Sequence, residues 1–231
     1  MLYLCIYKGT IRYESNELAA VRSWLSELYS EVIILCGRFN FDGDTVDLRD
    51  IIDELNKKYG YDTVKTGEVF PTNTAAVLVN NGGVVQPLPF IWGFPKWRGP
   101  GVIINARAET AREKPMFRRS LERRRCVVPS SGFYEWQQME GKKKKDKYRF
   151  NYPGQDVLYM AGIWNTCTTA DGSEYPAFAI LTTAANESVS AIHDRMPVLL
   201  NKDEQTLWLT DNSFVDFALT RPGLELVHQP A

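Results

Sequence analysis

The chain has 231 residues, of which 44% are hydrophobic, 24% charged and 12% aromatic, and a formal net charge of −1. That composition supplies a sizeable core and excludes disorder of the whole chain, collagen-like repeats and low complexity. The length fits one domain or at most two small ones.

In chain order, a helical pattern starts near Asn16, with Leu18, Val21, Trp24, Leu25 and Leu28 on one apolar face. A second helix is predicted over residues 45–59, capped by Asp44, ended by Gly60 and buried through Val46, Leu48, Ile51, Ile52 and Leu55. Strands follow at 75–79 and 84–92, flanking the hairpin signal Asn80-Asn81-Gly82-Gly83. Further apolar runs at 101–104, 126–136, 157–164 and 178–183 read as strands, with turns at Pro153-Gly154 and Asp171-Gly172. Late helices are predicted to begin near Asn201 and Ser213, His228 falls in a late strand, and the lysines of 142–145 form an exposed loop tip. The expectation is a single α+β domain, mainly antiparallel and barrel-like at its core, with peripheral helices.

No run of about 18 uninterrupted apolar residues offers a membrane span. Lys8, Arg12, Glu14, Glu17 and Arg22 interrupt any secretory apolar segment. The four cysteines, Cys5, Cys36, Cys126 and Cys167, and two histidines, His193 and His228, lack zinc-site clustering and point to a reducing cytoplasm. Residues 112–149 carry 13 Lys or Arg against 5 Asp or Glu, so the rest of the chain is acidic. Such segregation fits either a polyanion partner or a solvated face with a lysine loop.

Four segments carry chemistry: Leu35-Cys36-Gly37-Arg38-Phe39, Asn105-Ala106-Arg107-Ala108-Glu109-Thr110, Gly132-Phe133-Tyr134-Glu135-Trp136 and Ile192-His193-Asp194-Arg195-Met196-Pro197. They bring a thiol, an amide with a guanidinium, a carboxyl and an imidazole. Each also has a plainer reading on its own. A cysteine in a strand is often an inert small hydrophobe, a glutamate between aromatics can be an ion-pair partner (to Arg107, for instance), and a histidine before Asp-Arg can cap a turn.

Taken together and in order, these four blocks resemble the SOS-response-associated peptidase (SRAP) family of abasic-site processing proteins. Phe90-Ile91-Trp92-Gly93 and Ala161-Gly162-Ile163-Trp164 add to the resemblance, which covers residues 35–231. It implies a DNA-damage protein that cross-links covalently to abasic sites in single-stranded DNA through an N-terminal cysteine, with lyase and autopeptidase activity as further expectations. It implies Cys36, Asn105, Glu135 and His193 as catalytic residues. Arg38, Arg107, Trp97, Phe117 and Arg118 are implied as DNA contacts, with Arg119, Arg123, Arg124 and Arg125 extending the positive track. No metal or organic cofactor is implied. A bacterial cytoplasmic monomer, recruited to the nucleoid on damage, is expected.

The chemistry accounts for these residue types. A ring-opened abasic sugar is an aldehyde, and an N-terminal cysteine is a 1,2-aminothiol. Its amine forms an imine and its thiol then closes a thiazolidine. An α-amine with pKa of about 7.7 to 8.0 is about a third neutral at pH 7.5, whereas a lysine near 10.4 is about 0.1% neutral. Glu135 suits the proton transfers of sugar-ring opening, His193 those of imine formation and closure. Asn105 can orient the amine or a sugar hydroxyl, Arg38 and Arg107 match phosphate oxygens, and Trp97 offers a stacking face.

One feature departs from the family pattern. Cys36 follows a 35-residue extension instead of an initiator methionine, and an acylated nitrogen is an amide that cannot form an imine. Three explanations stand: Leu35 is a TTG initiator, the extension (residues 1–34, with Leu35) is removed by cleavage between Leu35 and Cys36 that leaves Cys36 first, or the extension stays and the protein only binds DNA. A thiol-dependent peptidase using Cys36, His193 and Glu135 and a non-catalytic single-strand binder using Trp97 and the arginines are the rival functions.

Overall fold

The computed structural model describes residues 37–141 and 144–231. The helical pattern near Asn16 and Cys36 itself lie outside the described residues.

The order of elements is β1 (Arg38–Phe41), α1 (Val46–Tyr59), β2 (Gly67–Val69), β3 (Thr74–Asn81), β4 (Val84–Trp92), β5 (Phe94–Pro95), β6 (Val102–Ile103) and β7 (Asn105–Arg107). A 3₁₀ turn (Ala108–Thr110), α2 (Pro115–Arg123), β8 (Arg125–Ser130), β9 (Gly132–Gln137), β10 (Asp146–Asn151), β11 (Leu158–Thr168) and β12 (Glu174–Ala184) follow. The chain ends with α3 (Glu187–Ser190), β13 (Arg195–Pro197), β14 (Leu199–Leu200), α4 (Glu204–Thr210), α5 (Asn212–Thr220) and β15 (Val227–Pro230).

Strands β12, β4, β3, β8 and β11 pair in succession, and β11 pairs back onto β12, so this sheet closes on itself. Closure removes the exposed edges that an open sheet would present. Val77, Phe90, Trp92, Phe178 and Ile180 share one face of these strands, Val127 and Ile163 lie on the other, and all seven are buried. A second, five-stranded sheet runs β15-β10-β9-β1-β2. The fold is a single α+β domain with a barrel-like core and peripheral helices.

The predicted hairpin forms, with Gly82 and Gly83 at φ 63° and 93°, the left-handed region where glycine carries no Cβ penalty. The second helix also forms, but Thr45 caps it instead of Asp44: its Oγ1 accepts from Leu48 N at 3.2 Å. Asp44 lies one residue too early to reach the first turn. Asp211 caps α5 by accepting from Ser213 N at 2.8 Å.

The run predicted over 126–136 is two strands. Ser131 interrupts them, and its N–H donates to Asn40 O at 2.8 Å as the chain crosses from the closed ring into the five-stranded sheet. Gly132 is required at the crossing, because a Cβ there would stand 2.8 Å from Arg149 Nε and 2.9 Å from Phe150 O.

Candidate active site and nucleic-acid contacts

Alternation along β9 decides which groups share a face. Phe133 and Glu135 point inward, with Phe133 stacked on Phe150 at 5.0 Å, while Tyr134 and Trp136 point outward. Glu135 is only 1% exposed. A carboxyl this deep needs polar neighbours, and the imidazole of His193 supplies one: its Nε2 stands 3.9 Å from Glu135 Oε2.

His193 lies in the turn between α3 and β13, a place fixed by backbone bonds. Its N–H donates to Val189 O at 3.0 Å, and Ala185 N donates to Asp194 O at 2.9 Å. Gln137 Nε2 donates to Ala191 O at 2.7 Å and so ties the end of β9 to this turn. Arg195 N donates to His193 Nδ1 at 3.1 Å. The same nitrogen lies 3.1 Å from Asp194 Oδ1, so the turn holds the ring by Nδ1 and leaves Nε2 facing Glu135. Burial holds the imidazole below its ordinary pKa of 6.5, against the pull of Asp194, and Lys145 from the β9–β10 loop adds to the lowering.

Asn105 and Arg107 open the next block. Asn105 registers with Ile180 and Arg107 with Thr182, both on β12, while Thr182 also pairs with Pro197 of β13. Strands β7 and β13 therefore flank the end of β12 on opposite sides. Arg195 spans that end. Its guanidinium donates to both oxygens of Glu109 at 2.6 and 2.9 Å, and to Thr182 O at 2.6 Å. The Glu of one sequence block is thus bound by the Arg of another, and Glu109 is held below the usual carboxylate range by those bonds.

Arg38 registers with Tyr134 and so lies on the face opposite Glu135. Its Nη1 is 2.9 Å from Glu68 Oε1, and its guanidinium lies 3.8 Å from the centre of the Phe70 ring and 5.4 Å from that of Trp136. Lys147 Nζ meets the same Glu68 oxygen at 2.8 Å and lies over Tyr134 at 3.9 Å. Partial burial pushes the Glu68 carboxyl up, but hydrogen bonds from Lys147 and Arg38 outweigh it and leave its pKa lowered.

The other candidate contacts divide. Arg107 and Arg118 are exposed, and Trp97 is 89% exposed between β5 and β6. Phe117 is 4% exposed and packs against Phe94, so it forms a wall beneath the surface and is not free to stack on a base. Arg119 and Arg123 face solvent. Arg125 does not extend the positive track: it is buried, donating to Leu121 O at 3.0 Å, Glu122 O at 2.9 Å, Asn212 Oδ1 at 2.7 Å and Trp208 O. Arg124 is turned onto Asn165 and the Trp164 ring. Lys144 and Lys145 are exposed in the β9–β10 loop. His228 sits in β15 edge-on to Tyr148 and Phe150.

Reading the sequence missed Glu109, Gln137, Glu68 and Lys147. The paired acidic and basic residues in separate blocks were the available signal for Glu109 and Arg195. Nothing local marks Gln137, Glu68 or Lys147, whose partners are set by strand register.

The fold and the facing groups define a barrel-cored α+β protein whose second sheet brings the buried Glu135 carboxyl to 3.9 Å from the His193 imidazole. The chain belongs to the SOS response associated peptidase (SRAP) family, which residues 35–222 match. It is 36% identical over 184 residues to "Abasic site processing protein YoaM" of Bacillus subtilis (strain 168), covering 76% of this chain and 79% of that protein. It is 30% identical over 179 residues to "Abasic site processing protein YedK" of Escherichia coli (strain K12), covering 76% and 79%. A crystal structure of a Bacteroides thetaiotaomicron protein shares the fold at a TM-score of 0.70 and 24% identity, covering 84% of this chain and 91% of that one. Among the described residues no helix is long and apolar enough to cross a membrane.

Proposed function

We propose that this protein processes abasic sites in single-stranded DNA by forming a covalent cross-link, in the context of DNA damage. The observation that carries the reading is the approach of Glu135 and His193 to 3.9 Å from two distant blocks of sequence. The names of YoaM and YedK as abasic site processing proteins point the same way.

In the proposed reaction, Glu135 relays the proton that opens the sugar ring to its aldehyde. The free amine of Cys36 adds to the aldehyde carbon, and loss of water gives an imine. The Cys36 sulfur then adds to the imine carbon while the nitrogen takes a proton, closing the thiazolidine. His193, neutral near pH 7 because burial lowers its pKa, accepts and returns protons in these steps. Asn105 orients the amine or a sugar hydroxyl, and Arg38, Arg107, Arg118 and Trp97 hold the strand. The amine exists only if residues 1–35 are absent from the working protein, through initiation at Leu35 or cleavage before Cys36.

Incubating protein that begins at Cys36 with an abasic-site oligonucleotide tests the reading. A heat-stable adduct is expected, and none for Cys36→Ala. Hydrolysis of unrelated peptides without any adduct would instead establish a peptidase.

A further inference from the structure

Glu68 stands between two cations with one oxygen shared by both, Arg38 Nη1 at 2.9 Å and Lys147 Nζ at 2.8 Å. The rings of Phe70, Trp136 and Tyr134 lie against the same two cations. Two donors converging on one anionic oxygen beside aromatic faces is the arrangement that holds a phosphodiester next to a stacked base.

We propose that Glu68 is a resident counter-anion: it occupies the phosphate position of a subsite formed by Arg38, Lys147, Phe70 and Trp136, and a DNA phosphodiester displaces it on binding. This rests on the reading of the chain as a protein that acts on single-stranded DNA.

Three features make the carboxylate displaceable. The side chains of Arg38, Glu68 and Lys147 are 34, 29 and 25% exposed, so water screens the pair and it contributes little to stability. Glu68 lies on β2, a three-residue strand at the edge of its sheet, where a side chain can swing out without disturbing a ladder on both sides. With Glu68 in place the cluster carries one net positive charge, and with a phosphate in its stead the two cations are both used. The consequence is selectivity: undamaged strands compete with Glu68 and leave, whereas a strand that reacts is retained by its covalent bond.

The test titrates the full chain with an undamaged single-stranded oligonucleotide over a range of salt. Glu68→Gln should tighten binding roughly fivefold at low salt, the effect of removing one screened charge contact. The slope of log affinity against log salt should match the parent's, because the same phosphate is neutralised in both. The double variant Glu68→Gln/Lys147→Ala should return toward the parent. Glu54→Gln, the same charge change at an exposed position of α1, should leave affinity where it was. Unchanged binding for Glu68→Gln, or a gain matched by Glu54→Gln, overturns the inference while leaving the cross-linking reading intact. Failure to bind undamaged and abasic strands, both by the full chain and by protein that begins at Cys36, overturns both.

Discussion

His193 Nε2 faces Glu135 Oε2 at 3.9 Å, with the other ring nitrogen engaged by the Arg195 backbone N–H. The distance exceeds a direct hydrogen bond, and in the proposed reaction a substrate oxygen lying beside the pair exchanges protons with both groups. Replacing Glu135 by Gln keeps the volume in this buried position and removes the carboxyl that would give and take a proton. Adduct formation should slow by about a hundredfold, the lower range of general acid–base effects, while binding of the abasic strand stays near the parent's. Single-turnover gel assays and strand titrations separate the two, and equal adduct rates would remove this role for Glu135.

The imidazole also sets a pH dependence. Its folded pKa lies below the unfolded 6.5, so as pH falls the unfolded chain takes up the proton first and the fold loses stability from about 6.5 downward through the folded value. Glu109, held low by Arg195, costs stability only below its unfolded 4.5. The thermal midpoint should therefore drop between pH 7 and about 5, and His193→Gln should flatten that segment while leaving the steeper fall at lower pH.

How much of this was readable beforehand differs by element. The hairpin at Gly82-Gly83 and the helix ended by Gly60 follow from local residue chemistry, and the structure reproduces them; the Glu135 and His193 blocks stand out only through their resemblance to a family, and the structure brings their side chains to 3.9 Å. The Arg125 error came from treating charge as exposure. An arginine preceded by two others reads as surface, yet register on β8 turns this one toward α4 and α5. Phe117 failed for the converse reason, since only the position of Phe94 across the fold decides that its ring is covered. Glu68 and Lys147 meet because β1, β9 and β10 lie side by side, which no spacing within the sequence encodes.

Arg125 should behave as a structural residue. Its guanidinium satisfies three carbonyls and Asn212 in a buried site, so Arg125→Ala strands those acceptors and should cost about 3 kcal/mol or more in urea denaturation. Arg119→Ala and Arg123→Ala, both at exposed positions, should change stability by no more than about 0.5 kcal/mol.

Trp97, 89% exposed, offers the clearest separation of binding from folding. Trp97→Ala should leave the thermal midpoint unchanged and weaken single-strand binding by about 1–3 kcal/mol, the worth of one base stacked on an aromatic ring. A lowered midpoint with unaltered binding would show that the ring serves the fold.

The proposed cross-link requires a freed amine and the sulfur of one residue, Cys36, to capture the sugar aldehyde together. The direct measurement compares the full 231-residue chain with protein whose first residue is Cys36, each incubated with the same abasic-site oligonucleotide and resolved by intact mass. A heat-stable adduct, at the summed mass less one water, is expected only for protein that starts at Cys36. The same adduct on a chain whose mass still includes residues 1–35 would contradict that requirement.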